Sequence, residues 1–239
     1  MPFYPETKLT VAMRDGDFPI IVSLARHDLD LAKAALGAGA VALKVHLNAY
    51  HRATGTTFGS YAEERPFLEK LAMLGVPLLV MAGQETVPTA QEMDRLAELG
   101  FEAFNVYFDH LKPHLLQSQL RPVPALGEMS TNEDLNAIIA IPGAMMEASV
   151  ASFADYGTPL GEADFSRYRE IVASAGIPVI APSQKRFVAN DIPKLKAAGI
   201  AAPLLGVVVT GTTPQSMEAA VRPIADACST KAIIWQTSQ

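Results

Sequence analysis

The chain has 239 residues, of which 49% are hydrophobic and 18% charged, and a formal net charge of −6. This composition excludes a disordered chain, and an acidic balance with no run of Lys or Arg to follow a phosphate backbone argues against nucleic acid and anionic membrane surfaces as partners. The opening MPFYPETKLTVAMRDGD lacks a basic segment leading into an apolar stretch, no apolar run is long enough to span a bilayer, and Cys228 is the only cysteine. A cytoplasmic protein without a disulfide or a cysteine-held zinc is therefore expected.

Residues 1–17 read as a lead-in to a single domain covering 1–239. Beyond it, short β-rich runs alternate with helical patterns: Ile20–Ala25, Ala40–Leu47, Pro77–Ala82, Ala103–Phe108, Pro122–Leu126, Ala144–Ser149, Pro178–Ala181 and Leu205–Thr210. Strands that alternate with helices form parallel sheets with crossover connections, and eight repeats suffice to close a (β/α)8 TIM barrel. A doubly wound open sheet is the main competitor. Capping boxes are expected at Ser60–Glu63, Thr89–Glu92 and Ser130–Glu133, and glycines close helices in LGAGA, AMLGVP, AELGFE, ASAGIP and KAAGI. Two strand-to-helix connections, 48–59 and 150–163, are long enough to act as lids.

Side chains alternate along a strand, so parity separates the barrel interior from the helix layer. In the first run Ile20, Val22 and Leu24 face the helices, leaving Ile21, Ser23 and Ala25 inside. In the second, Val41, Leu43, Val45 and Leu47 face outward, so Ala42, Lys44, His46 and Asn48 point inward. The fourth run turns Asn105, Tyr107 and Asp109 inward, and the sixth turns Glu147 and Ser149 inward. Polarity thus gathers at the carboxyl ends of the strands, where barrels carry their chemistry. Lys44 and Glu147 are candidate catalytic residues or, alternatively, a structural ion pair. Ser23, His46, Asn105, Tyr107 and Glu128 are candidate substrate ligands. His27, His46 and His110 with Glu128 or Glu147 lack metal-ligand spacing, so neither a metal nor another cofactor is expected; His51 and His114 are expected outside the site.

The last run leads through Thr210–Thr213 into a helix opened by Pro214, which suits a phosphate at a helix N-terminus with Gly211 permitting close approach. Thr210, Gly211 and Thr212, with Ser183 and Lys185 from the seventh loop, are the candidate phosphate ligands.

IIVSLA, AKAALGAGAVALKVH, ALGEMST, GIPVIAPSQ and GVVVTGTTP together resemble the bacterial N-acetylmannosamine-6-phosphate 2-epimerase family of the ribulose-phosphate-binding barrels. The resemblance spans nearly the whole chain in order and implies the barrel and phosphate binding. It departs at the family's catalytic groups: Gly83 stands where those epimerases have their lysine, Pro182 where they have their glutamate, Ala25 at a glutamine and Lys44 at an arginine, while Glu128 matches an aspartate in charge. The expected function is an isomerase, epimerase or retro-aldol lyase that abstracts a proton next to a carbonyl of a phosphorylated sugar or similar small anion. Glu147 would act as base, with Lys44 polarising the oxygen or forming a Schiff base. The alternative is a non-catalytic barrel that binds a phosphorylated metabolite and signals to a partner. A homo-oligomer is left open.

Overall fold

The structure, a computed structural model, describes Tyr4 and residues 6–229. The barrel strands are β1 (Ile21–Ser23), β2 (Ala42–His46), β5 (Leu78–Met81), β6 (Phe101–Tyr107), β7 (Arg121–Leu126), β8 (Met146–Ala148), β9 (Val179–Pro182) and β10 (Ala202–Leu205); β3 (Ala49–His51) and β4 (Thr56–Phe58) form a separate antiparallel hairpin. The barrel strands are parallel and closed in the ring β1-β10-β9-β8-β7-β6-β5-β2, with Ile21 opposite both Leu204 and Ala42. An open sheet would leave β1 and β10 unpaired at its edges, so this pairing decides for the (β/α)8 TIM barrel.

Two apolar layers hold the ring. Leu24, Leu43, Val45, Leu47, Val80, Phe104, Val106, Met146 and Ala148 are buried against the helices, as parity requires. Inside the amino-terminal half, Ile21, Ala42, Leu79, Ala103, Val123, Met145, Ile180 and Ala202 form a second cluster, which Leu9 and Met13 complete. Those two residues come from helix α1 (Lys8–Arg14), so the lead-in is an amphipathic plug for the barrel floor.

Helix starts follow backbone satisfaction. Ser60 and Thr89 close capping boxes with Glu63 and Glu92 at α3 (Tyr61–Ala72) and α4 (Ala90–Glu98). The third box is Thr131 with Asp134, at α5 (Asn132–Ile139), one residue beyond the expected Ser130–Glu133. Ser130 instead accepts the Gly127 N–H at 2.8 Å, so it closes the loop before the helix. The remaining principal helices are α2 (Leu29–Gly37), α6 (Glu162–Ala175), α7 (Ile192–Ala197) and α9 (Pro214–Ser229).

Two further expectations are corrected. After β6 the chain makes 3-10 turns at Phe108–His110 and Leu115–Gln117 rather than an α-helix, with Pro113 between them. The eighth strand is Ala202–Leu205, not Leu205–Thr210, and Val207–Thr210 is a short helix, α8. The ladder supplies the reason: β10 pairs to Leu204 with β9 and to Leu205 with β1. Beyond Leu205 no further rungs pair, so the backbone closes its hydrogen bonds locally, from Val209 and Thr210 to the Gly206 carbonyl. No helix among the described residues is long and apolar enough to cross a membrane.

Candidate active site

The carboxyl ends of the strands surround a cavity of about 510 Å³. Its floor is one pleat repeat above the apolar plug: Ser23 follows Ile21, Lys44 follows Ala42, Asn105 follows Ala103, and Glu147 follows Met145. Lys44 on β2 donates from Nζ to Glu147 Oε2 on β8 at 2.7 Å, and both side chains are buried. The ring order places β2 and β8 diametrically opposite, so this pair spans the barrel. Ser149 donates to the other carboxylate oxygen of Glu147 at 2.9 Å. Two buried charges in contact offset part of each other's desolvation, which neither would tolerate alone.

Neutral polar groups ring the pair. Asn105 donates its amide to the Val123 carbonyl at 2.7 Å, which fixes its orientation. Burial raises the Tyr107 phenol pKa, with Tyr156 and Glu147 adding to the effect, so the hydroxyl keeps its proton. Burial holds His46 well below the ordinary histidine value, and Lys44, His51 and His27 push the same way, so its imidazole is neutral. His46 stacks on Phe58 of the hairpin with centroids 4.8 Å apart and meets His51 edge-on at 5.1 Å.

Both long connections reach the mouth. Segment 48–59 folds as the β3–β4 hairpin and contributes Ala49, Tyr50, His51 and Arg52 to the cavity wall, while segment 150–163 contributes Phe153 and Tyr156. Arg52 lies 4.7 Å from the Phe153 ring centroid, joining the two over the opening. The second segment is also tied down: Gln184 donates to the Tyr156 hydroxyl at 2.7 Å and accepts from Ala151 N at 3.0 Å.

On the remaining side, Ser183, Gly206, Val207 and Val208 line the cavity. Val207 and Val208 open α8, so their N–H groups have no partner within that helix. The Gly206 N–H donates to Ser183 Oγ at 2.7 Å, leaving the serine proton for another acceptor.

Ser23, Lys44, His46, Asn105, Tyr107, Glu147 and Ser183 therefore meet in one cavity, as parity and loop position suggested. The other candidates do not line it. Glu128 is exposed, and its carboxylate accepts the Phe153 N–H at 3.4 Å. Lys185 forms an ion pair with Asp164 at 2.9 Å. Thr210 is fully buried, its hydroxyl shared between the Gly206 and Gly211 carbonyls. Gly211, at φ +64°, turns the chain from α8 into α9, and the Thr212 carbonyl accepts from Arg26 at 2.5 Å. The displacement of these threonines follows from the early end of β10, which brings the amino end of α8 to the cavity instead of α9.

His51 lines the wall although it was expected outside, because the hairpin folds back over the barrel. His27 lies behind the site, stacked on Phe67 and bonded to Glu64 at 2.5 Å, and His114 contacts the Pro88 carbonyl. Tyr156, Gln184 and Arg52 complete the wall; the only sequence signal for Tyr156 and Arg52 was the length of their connections. Among the described residues no cluster of three or more His, Cys, Asp or Glu side chains is arranged to hold a metal ion.

No family model matches this sequence, and no curated protein is similar to it at a significant level. Solved structures do match. Over 94% of this chain and 99% of theirs, the tryptophan synthase alpha subunit from Legionella pneumophila superimposes with a TM-score of 0.70 at 10% identity. A tryptophan synthase chain from M. tuberculosis covers 95% of this chain and 100% of its own, with a TM-score of 0.69 at 13% identity. Phosphoribosyl anthranilate isomerase from Thermus thermophilus covers 87% and 97%, with a TM-score of 0.60 at 12% identity. Likeness at such identities carries the fold, and the fold is that of the (β/α)8 TIM barrels.

Proposed function

We propose that this chain is an enzyme acting on a phosphorylated sugar or a similar small anionic carbonyl compound, by removing a proton next to the carbonyl. The observation that carries the reading is the buried Lys44–Glu147 pair at the floor of a cavity on the strands' carboxyl side. The Glu147 carboxylate takes the proton from carbon; the C–H electrons form the carbon–carbon double bond, and the carbonyl π pair moves to oxygen. The Lys44 ammonium and the neutral His46 imidazole stabilise that enolate oxygen. Return of the proton to the same or the neighbouring carbon gives an epimer or an isomer. Ser183 and the first N–H groups of α8 bind the phosphate, in the manner of barrels that use a short extra helix after the last strand. The structural neighbours named for work on phosphorylated compounds, such as phosphoribosyl anthranilate isomerase, make that substrate class the natural one to test.

Kinship with the N-acetylmannosamine-6-phosphate 2-epimerases is part of this proposal, but with relocated proton-transfer groups. Gly83 sits at φ +141°, and a Cβ there would lie 2.0 Å from the Thr86 carbonyl oxygen, so a lysine cannot occupy this position without rebuilding the loop. The same departure favours the second reading, a non-catalytic barrel that binds a phosphorylated metabolite and regulates a partner. A panel of sugar phosphates assayed with wild type and Glu147→Gln separates the two. Loss of about a hundredfold or more in turnover with ligand binding retained supports the base. A less stable variant with unchanged turnover removes Glu147 from the mechanism, and no turnover of any panel member by wild type favours the binding protein.

A further inference from the structure

The Lys44–Glu147 pair and the Arg52–Phe153 contact lie along the same diameter of the barrel, from the β2 side to the β8 side. The first closes the floor and the second crosses the mouth, with the cavity between them. Of the charged side chains that line this space, Lys44 and Glu147 neutralise each other, which leaves Arg52 and Asp109. Asp109 offers nothing to an anion. Among the described residues no carboxylate is in ion-pair contact with Arg52; the contact the structure gives its side chain is the Phe153 ring.

A guanidinium held over an aromatic ring is attracted through its charge and need not spend its N–H donors on hydrogen bonds to a carboxylate of the protein. That contact holds the guanidinium over the mouth without pairing its charge, and a planar fork suits a carboxylate, which accepts two parallel hydrogen bonds. The phosphate end proposed above lies at Ser183 and α8, beside β9 and β10, whereas Arg52 extends from the β2 side. A ligand reaching from one to the other would carry its second anionic group on the end remote from the phosphate.

We infer that Arg52 is a specificity-determining ligand for a carboxylate, so that the substrates of this site are phosphate esters that also carry a carboxylate at the far end of a short polyol or keto chain. Phe153 is a positioning residue that holds the guanidinium at the mouth. The inference rests on the phosphate reading for the other end of the ligand.

Three probes test it by titration calorimetry at low salt: 6-phosphogluconate, sorbitol 6-phosphate, which replaces the carboxylate by a hydroxymethyl group, and gluconate, which lacks the phosphate. Wild type should bind 6-phosphogluconate about fivefold more tightly than sorbitol 6-phosphate, a modest factor because Arg52 is exposed. Arg52→Met should abolish that preference by weakening 6-phosphogluconate alone, and Arg52→Lys, which keeps the charge but not the fork, should retain part of it. No preference in wild type, a preference that survives Arg52→Met, or equal weakening of both esters would overturn the assignment. If neither ester binds wild type, the phosphate reading has failed separately. Gluconate then decides: binding that Arg52→Met weakens supports the carboxylate site, and binding that is absent or indifferent to Arg52 removes it.

Discussion

The two ends of the barrel are built from the same strands and differ in what one pleat repeat adds. Ile21, Ala42, Leu79, Ala103, Met145 and Ile180 form the lower layer, sealed by Leu9 and Met13. Two residues on, about 6.6 Å along each strand, stand Ser23, Lys44, Met81, Asn105, Glu147 and Pro182, all of them lining the cavity. The lower layer is stabilised by removing apolar surface from water. The upper layer is tolerated only because its charges and amides find one another. Stability is therefore spread over many interchangeable contacts at the bottom and concentrated in a few specific ones at the top.

The sharpest way to break this comparison is to remove one charge from the floor. Lys44→Met should cost about 4 kcal/mol in urea unfolding, because Glu147 is left buried without its countercharge, and Lys44→Met with Glu147→Leu should recover most of that loss. A single substitution costing under about 1 kcal/mol would mean that the pair is less dependent on itself than its burial implies. In the lower layer, Leu79→Ala should cost about 3 kcal/mol through the cavity it leaves. Affinity for sorbitol 6-phosphate, measured on the folded protein, should stay the same; a matching loss of affinity would show that the two layers are not independent.

The smallest effect is the acid response of the upper layer. His46 stays neutral in the fold well below its ordinary value of 6.5, because burial and the nearby Lys44, His51 and His27 oppose its charge. In the unfolded chain it takes up a proton as pH falls through about 6.5, so the unfolded state then binds more protons. The stability tied to neutral His46 is thus complete above that pH and declines below it, by about 1.4 kcal/mol per pH unit for one proton. His51 and His27 are lowered by burial as well and act in the same direction, His27 against the opposing pull of Glu64. His46→Gln should flatten the decline by roughly one proton's worth in melts between pH 5 and pH 7; an unchanged slope would mean that His46 is protonated in the fold.

Much of this was legible in the strands. β2 reads unambiguously because Leu43, Val45 and Leu47 leave only one face for Lys44 and His46, and the sixth run allows Glu147 no other direction. What escaped was set by where neighbouring strands stop. GVVVT looks like a strand because three valines favour one, yet helix formation costs each valine only a fraction of a kcal/mol more than alanine. With the ladder finished at Leu205, that small preference is overruled, and the backbone that lines the cavity is Gly206–Val208 rather than Thr210–Thr212. The hairpin escaped in the same way: connection 48–59 announced its length but not that Arg52 would cross to Phe153, a contact between segments about a hundred residues apart.

The plug at the barrel floor also bears on the order of assembly. Leu9 and Met13 of α1 are packed in one cluster with Ala202 and Leu204 of β10, at the opposite end of the order of elements. Their seat is complete only when β10 zips against β1. Until β10 is in place α1 keeps its apolar stripe uncovered, and contacts of such long sequence separation are the slow ones to form. Closure of the ring thus shelters α1, which makes the interval before closure the period when its apolar stripe is most exposed to aggregation or to a chaperone.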